Sequence, residues 1–387
     1  MRKKVGLITM HRVLNPGSML QAYALYKQVC KLGYECEIID YQYPNAIHHS
    51  KSNANECNII KTICLLLNRI KFFILYRGRV QRKRYMRFMH DNLLLSKYYP
   101  TKESLFNDSP KYDIYLTGSD QVWNPKCMYG DPSFFCAFAE DKPRISYSSS
   151  FAQADIPNEL YKTYKTLLSG FSSISVREEG ARDLVRKLTG KDATVVCDPT
   201  LLLTKQDYAP FIAKSEIKIK KPYILAYILS YAYNPYPTIL EVIEKVSRER
   251  KLPVIYMMAN TIDDYHLGHS ITNAGPNEFL SLIANAECIV TSSFHGVAFA
   301  LNFEKEFYTV LPKNANKNNR IYSLLQTVCA LDRVVYKNSC SIISVLNVDY
   351  NKINIGINLF RKASTTYLKN ILLKIEKNLC KTNKDRL

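Results

Sequence analysis

Short apolar runs alternate with longer amphipathic runs along most of the chain. Lys4 to Met10 is a run of the first kind, and residues 19–33 repeat apolar positions at intervals of three and four up to Gly33. The first pattern predicts a buried strand, and the second predicts a helix that ends at the glycine. A second apolar run, ECEIIDY, follows at once. The chain therefore opens with the strand–helix–strand unit of a parallel, doubly wound sheet.

The same alternation continues to about residue 205 and restarts after residue 220. Further strands are predicted at YDIYLT, RISYSSSFA, SSISVR, ATVVC, KKPYILAYILS, LPVIYMMA, ECIVT and EFYTVL. Between Leu203 and Lys221 the strand pattern gives way to a lysine-rich connector. A chain of 387 residues is also too long for a single domain with one hydrophobic core. We predict two α/β domains, residues 1–205 and 220–345. Residues 346–387 are predicted to form a C-terminal helix that packs back and ends in a basic tail.

The stretch from Glu287 to Leu301 is the most informative one for function. An apolar run is followed there by hydroxyl, aromatic and small residues that lead into a predicted helix: Thr291, Ser292, Ser293, Phe294, His295 and Gly296. Backbone N–H groups at such a helix start favour an anion. A histidine in this place can exchange a proton near neutral pH. The alternative is that His295 only caps the helix or is a satisfied core histidine.

Polar residues also follow the predicted strands of the N-terminal half, at the sheet edge where open α/β sheets bind ligands. They are Asn15, Gly17, Ser18, Gly118, Ser119, Asp120 and Gln121. Arg177 and Asp198 end two further strands, and the planar fork of Arg177 suits an anionic group in a way that lysine does not. Helix caps and plain turns use the same polar residue types. In the competing interpretation, Arg177 pairs with Glu178 or Glu179 on the surface.

Cysteine usage predicts free thiols in a reducing cytoplasm. The eleven cysteines contain no CxxC pair and no Cys/His spacing typical of a metal site. The N-terminal apolar run is too short for a signal peptide, and no apolar run is long enough to span a bilayer. A polar loop contains Asp263, Asp264, His266 and His269. We interpret it as a solvated loop rather than a cation site, and we predict no metal.

The net charge of +19 narrows the range of partners. No nucleic-acid fold signature accompanies it, so we expect anionic small substrates or an anionic membrane rather than nucleic acid. Asn68 to Arg87, within a basic helical insertion near residues 59–95, carries eight Lys/Arg and no acid. This segment predicts peripheral contact with the inner face of a membrane, or else a solvated helix that covers the first domain.

Seven motifs in order resemble the polysaccharide pyruvyl transferase family. They extend from Val5 to about Arg333: NPGSMLQAYAL, LTGSDQVWNP, ISYSSSF, ISVREEGARDL, VVCDPTLLL, GPNEFLSLIANAECIVTSSFHGVAFAL and NNRIYSLL. The resemblance implies two Rossmann-like domains that face each other across a cleft, as in glycosyltransferase-B enzymes. It also implies transfer of a pyruvyl group from phosphoenolpyruvate, usually as a cyclic ketal. The expected acceptor is a sugar of a capsule or exopolysaccharide or of its lipid-linked precursor, and no separate cofactor is expected.

The resemblance also implies the two sides of the site. Because phosphoenolpyruvate carries a carboxylate and a phosphate, its site needs cations and oriented N–H donors. The donor side in the C-terminal domain is expected to comprise Ser292, Ser293, Phe294, His295, Gly296 and Arg320, together with Arg177. The acceptor side is expected to comprise Asn15, Gly17, Ser18, Gly118, Ser119, Asp120 and Gln121.

His295 and Arg177 are the expected catalytic residues. Addition to phosphoenolpyruvate delivers a proton to its methylene carbon and removes one from a sugar hydroxyl, and His295 suits that acid–base role. The family often has Arg-Leu-His where this chain has Ser293, Phe294 and His295. Arg320, in the next loop, is the candidate for the missing cation.

Two other functions fit the same sequence. The first is a glycosyltransferase that uses a nucleotide sugar, because a basic loop with a histidine also suits a pyrophosphate. The second is a non-catalytic relative that binds an anionic glycan. A nicotinamide-dependent enzyme is not expected, since no GxGxxG motif follows the first strand.

Overall fold

Two parallel sheets form the framework of the computed structural model, which describes residues 2–43, 76–257, 268–339 and 348–384. The N-terminal sheet has the strand order β3-β2-β1-β4-β5. Its strands are β1 Lys4–Ile8, β2 Glu35–Tyr41, β3 Leu95–Tyr99, β4 Ile114–Thr117 and β5 Arg144–Ser146. A short parallel pair, β6 Ser175–Val176 and β7 Thr194–Val195, lies next to β5 and is joined to it by isolated bridges.

The C-terminal sheet repeats this topology in the order β10-β9-β8-β11-β12-β13. Its strands are β8 Ile224–Tyr227, β9 Val254–Met257, β10 Gly268–Ile271, β11 Cys288–Thr291, β12 Glu306–Leu311 and β13 Val334–Tyr336. In both sheets the strand order reverses beside the first strand, between β1 and β4 and between β8 and β11. Ligands of doubly wound sheets bind at such switch points, outside the carboxyl ends of the strands.

Both faces of these sheets are covered, which explains why the strands are continuous apolar runs. Val5 and Leu7 of β1 belong to one core, and the adjacent Ile8 belongs to another. Among the described residues the α-helices are Pro16–Lys31, Tyr76–Asn92, Lys102–Asn107, Pro125–Met128, Tyr161–Ser169, Glu179–Thr189, Lys205–Ala213, Thr238–Arg250, Pro276–Asn285, Phe294–Asn302, Arg320–Thr327 and Tyr350–Lys384. The domain boundaries drawn from the sequence stay predictions.

The long C-terminal helix, Tyr350–Lys384, is attached to both halves of the molecule. The Ser364 hydroxyl accepts a hydrogen bond from the Cys197 backbone N–H at 2.9 Å, which ties the helix to the N-terminal half. Tyr350 donates its hydroxyl to the Ala300 carbonyl at 3.2 Å, which ties it to the C-terminal half. The helix therefore connects the two halves, and it packs on the hydrophobic cluster that both halves share.

The described part of the basic segment joins the two halves. In helix Tyr76–Asn92, Arg84 and Arg87 form ion pairs with Glu216 at 2.9 and 2.7 Å, and Arg84 also lies 3.6 Å from Glu278. Residues 68–75 lie outside the described ranges, and membrane contact through this segment stays a prediction. Within those ranges no helix combines the length and the apolar character that a bilayer crossing requires.

The polar loop considered as a cation contact lies largely outside the described ranges. Asp263, Asp264 and His266 are not among the described residues, and His269 belongs to strand β10 with an exposed side chain.

Candidate functional site

The polar residues predicted in the two halves meet in one buried cluster at the carboxyl ends of the strands. Ser18, just after the loop that follows β1, donates its hydroxyl to Asp120 at 2.6 Å. Asp120 follows β4, so this bond joins the two sides of the N-terminal switch point. Both side chains are nearly inaccessible to solvent. The cluster is therefore a preorganised polar core rather than a set of solvated turns.

Arg177 lies at the centre of the cluster. Its Nη2 atom donates to the Ser119 hydroxyl at 2.8 Å and lies 3.0 Å from the Asp198 carboxylate. Its side chain is 1% exposed, and its Nε and Nη1 atoms have no hydrogen-bond partner. Arg177 is thus half of a buried ion pair and not a surface residue. Its sequence neighbours have other partners: Glu178 binds Ser150, and Glu179 pairs with Arg182.

Phe294 contacts two arginines of the cluster. The guanidinium carbons of Arg177 and Arg320 lie over its ring, 4.7 and 5.5 Å from the centroid. Arg320, the first residue of helix Arg320–Thr327, also places Nη1 3.7 Å from Asp120. Guanidinium groups are attracted to the face of an aromatic ring. The structure thus places Arg320 beside Phe294, within the cluster.

His295 is packed between the two halves of the molecule. It lies in the first turn of helix Phe294–Asn302 and is 6% exposed. Its Nε2 atom lies 3.7 Å from the Asp198 carboxylate and has no hydrogen-bond partner. Ser293 caps this helix by accepting from the Gly296 N–H at 3.4 Å. Because the cap is a serine, the helix does not need His295 for that purpose.

The two aspartates supply the negative charge of the cluster. Burial alone would raise the pKa of Asp198, but the charge of Arg177 and the contact with His295 outweigh burial and lower it well below its usual range. Burial acts on Asp120 in the same way, and Arg177, His295 and Arg320 together lower its pKa. Both carboxylates are therefore ionised at neutral pH and act as counterions of the arginines.

The pKa of Glu178 is shifted in the opposite direction. Burial raises the pKa of its carboxyl group more than the charge of Arg177 and the hydrogen bond from Ser150 lower it. Its Oε1 atom accepts from the Ser150 hydroxyl at 2.8 Å, and its Oε2 atom has no partner. Of the three buried carboxyl groups of this cluster, Asp120, Glu178 and Asp198, Glu178 is therefore the one that takes up a proton most readily.

A cleft of about 470 Å³ opens beside this cluster. Gln121 and Ala152 line it from the N-terminal half, and Tyr231, Phe294 and Arg320 line it from the C-terminal half. A cleft of this size between two domains, with a few convergent polar groups, is typical of a small-molecule site.

Several predicted site residues hold the backbone of the cluster in place. Asn15 caps helix Pro16–Lys31 by accepting from Gly17 N–H and Ser18 N–H at 2.9 and 3.2 Å. The Ser292 hydroxyl forms hydrogen bonds of 2.8 Å with both backbone groups of Leu229, which joins the loops after β8 and β11.

Two glycines are required by close contacts. Gly118 has a φ of +119°, and a Cβ atom there would lie 2.2 Å from the Tyr147 carbonyl oxygen. A Cβ atom at Gly296 would lie 2.4 Å from the hydroxyl of Thr291. Side chains at either position would displace the strand ends that carry the cluster.

The sequence places Asp198 at a strand end but predicts no site role for it or for Glu178. Asp198 precedes Pro199 and accepts from the Thr200 N–H at 2.9 Å, so its sequence context is that of an ordinary cap. Glu178 follows Arg177 in a run of charges that is typical of a solvated surface. No sequence pattern around Asp198 indicates its ion pair, because its partner Arg177 follows a different strand.

The comparisons with known structures identify the class of fold. UDP-GlcNAc 2-epimerase from Methanocaldococcus jannaschii is similar over 97% of this chain and 100% of that chain, with 13% identity and a TM-score of 0.51. The corresponding enzyme from Rickettsia bellii covers 97% and 98% with 10% identity and a TM-score of 0.44. E. coli ADP-heptose lps heptosyltransferase II covers 93% and 99% with 9% identity and a TM-score of 0.39. The first similarity confirms the predicted glycosyltransferase-B-like fold of two Rossmann-like domains.

The family follows from the sequence match. The model of the family described as polysaccharide pyruvyl transferase matches residues 15–314, which is most of the chain. The protein therefore belongs to the polysaccharide pyruvyl transferase family, as the order of its motifs predicted. No curated protein sequence matches the chain significantly.

Proposed function

We propose that this protein transfers a pyruvyl group from phosphoenolpyruvate to a sugar of a cell-surface polysaccharide, or of its lipid-linked precursor, and forms a ketal. Membership of the polysaccharide pyruvyl transferase family supports a transferase of polysaccharide biosynthesis. The observation that carries the proposal is the packing of Arg177, Arg320 and His295 around Phe294, where Arg320 and Phe294 themselves line the cleft.

Arg320 is the main donor-binding residue in this proposal. It lines the cleft beside Tyr231 and lies 3.7 Å from Asp120, and its planar fork suits a carboxylate or phosphate. Phe294 and Ser293 line the same wall at the start of helix Phe294–Asn302. A helix N-terminus adds a favourable field for an anion. Arg177 contributes its charge from behind Phe294.

The proposed reaction joins two sugar hydroxyls to the C2 carbon of phosphoenolpyruvate and releases inorganic phosphate. One hydroxyl proton ends on the C3 methylene carbon, which becomes a methyl group, and the other leaves with the phosphate. His295 accepts the proton of the attacking hydroxyl. Asp198, 3.7 Å from Nε2, stabilises the imidazolium that forms. Gln121 lines the acceptor side of the cleft in this arrangement, and the buried Asp120 lies next to it in the chain.

Donor binding tests the proposal. Calorimetry with phosphoenolpyruvate should give binding in the unmodified protein and a large loss in Arg320→Gln. Lys126→Gln is the matched control, because Lys126 also lines the cleft but has no place in the cluster. A panel of free and lipid-linked glycans, followed by mass gain and phosphate release, then identifies the acceptor.

Two results would favour the other functions. Binding of UDP-GlcNAc in place of phosphoenolpyruvate, with transfer of the sugar, would indicate a glycosyltransferase. Binding of neither donor, together with binding of an anionic glycan, would indicate a non-catalytic relative.

A further inference from the structure

The outward face of the C-terminal helix, Tyr350–Lys384, is not accounted for by the fold or by the candidate site. The opposite face packs on the core, where Ile353, Leu368 and Leu372 are at most 3% exposed. The hydroxyls of Tyr367 and Ser173 form a hydrogen bond of 2.7 Å that fixes the middle of the helix. The outward face is therefore held in one orientation by the rest of the molecule.

A single stripe on this outward face combines lysines with exposed apolar side chains. At 3.6 residues per turn, its members fall within about a quarter of the helix circumference. We call them the lysine stripe: Ile355, Leu359, Lys362, Lys369, Leu373 and Lys377. Ile355 and Leu359 are each 65% exposed, and Leu373 is 38% exposed. The lysine stripe contains no acidic residue, and Glu376 at its edge accepts a hydrogen bond from Tyr34.

We propose that the lysine stripe docks the protein on a lipid bilayer that contains anionic headgroups. Lysines that alternate with exposed apolar residues along one helix face suit the boundary between headgroups and acyl chains. A second copy of the chain fits less well, because pairing two such stripes would place lysines against lysines. Nucleic acid would use the lysines but would leave Ile355, Leu359 and Leu373 without a partner.

The lysine stripe also differs from the basic helix Tyr76–Asn92. There, Arg84 and Arg87 form intramolecular ion pairs with Glu216. The lysines of the stripe are exposed, and no ion pair with an acidic residue is found for them within the described residues. The proposal is independent of the transfer reaction, since it concerns a surface and not the cleft.

Vesicle sedimentation tests this docking with the full-length protein. The unmodified protein should bind vesicles of phosphatidylcholine mixed with phosphatidylglycerol, and it should not bind pure phosphatidylcholine. The triple variant Lys362→Gln, Lys369→Gln, Lys377→Gln should lower vesicle affinity roughly 100-fold, at about fivefold per lysine. The control triple variant Lys142→Gln, Lys162→Gln, Lys165→Gln removes the same charge from exposed sites elsewhere and should have little effect.

A third variant, Leu359→Gln, separates a bilayer from other partners. It should also weaken vesicle binding, because the apolar residue enters the headgroup boundary. The proposal would be overturned if both triple variants lost vesicle affinity equally, or if the Lys362, Lys369 and Lys377 variant bound vesicles as before. It would also be overturned if Leu359→Gln had no effect on vesicle binding. Light scattering that shows a dimer, dissociated by Leu359→Gln, would assign the stripe to a second copy instead. Both vesicle binding and particle mass are independent of donor and acceptor, so failure here leaves the proposed function unaffected.

Discussion

Gly17 and His295 are in contact across the two halves of the molecule. A Cβ atom at Gly17 would lie 2.1 Å from the Nδ1 atom of His295, far inside van der Waals contact. Gly17 is in the first turn of helix Pro16–Lys31, and its φ is not in the left-handed region. The glycine is therefore required by the imidazole and not by its own backbone.

Gly17→Ala should move the His295 ring without unfolding the helix that contains it. Turnover should fall by roughly 100-fold, since small displacements of a catalytic group have effects of that size. A double-mutant cycle provides the control. In the His295→Ala background, Gly17→Ala should have little further effect, because the clashing ring is absent. Equal losses in both backgrounds would show that Gly17 acts on the backbone and not through His295.

Asp198→Asn should destabilise the fold more than the loss of an exposed ion pair does. The asparagine keeps an oxygen for the Thr200 N–H but removes the nearest counterion of the buried Arg177 and leaves only Asp120, 3.6 Å away. Removing one partner of a buried pair costs about 3–5 kcal/mol of unfolding free energy. The control is Asp183→Asn, which breaks an exposed pair with Lys317 and should cost about 0–1 kcal/mol. Urea denaturation compares the two, and similar losses would contradict the central role of the Arg177–Asp198 pair.

Glu178→Gln should change the pH dependence of stability. Because burial raises the folded pKa of Glu178 above the unfolded value, the stability it contributes is present below about pH 4 and is lost as the pH rises through the folded pKa. Glutamine keeps the hydrogen bond from Ser150 and removes the buried charge. The unfolding free energy of the variant minus that of the unmodified protein should therefore be larger at neutral pH than at acid pH. A stability difference that is the same at every pH would contradict this account.

The position of the site could be predicted from the sequence, because strand ends are visible in the apolar pattern. Ser18, Asp120 and Ser293 all follow predicted strands, and parallel sheets bring such ends to one edge. Arg320 also lies in the cluster, and its role as the cation that replaces an arginine at position 293 stays a prediction. The repeated strand order explains why these residues meet, since both switch points face the same cleft.

The pairings within the site could not be predicted, because each depends on the packing of distant segments. No sequence pattern marks Gly17 as the neighbour of His295, because most of the chain separates the two residues. The sequence places Arg177 next to Glu178 and Glu179, whereas the fold pairs it with Asp198. Adjacent strand residues point to opposite faces, so the nearest charges in sequence are often not the nearest in space.

His295→Asn should separate acid–base chemistry from structure. Because Ser293 already caps the helix, asparagine should leave the fold and donor binding intact. Turnover should fall roughly 100-fold or more, as is usual when an acid–base group is removed. Calorimetry with phosphoenolpyruvate and a phosphate-release assay measure the two effects. An active His295→Asn variant would return His295 to a structural role.

The transfer of the pyruvyl group itself is tested most directly by running the reaction in D₂O with phosphoenolpyruvate and the accepting glycan. The glycan should gain a carboxyethylidene group whose methyl carbon carries one solvent deuterium, with release of one equivalent of inorganic phosphate. The same product should form very slowly with His295→Asn. A glycan that gains a sugar from a nucleotide donor, or a modified glycan whose new methyl group contains no solvent deuterium, would contradict the account.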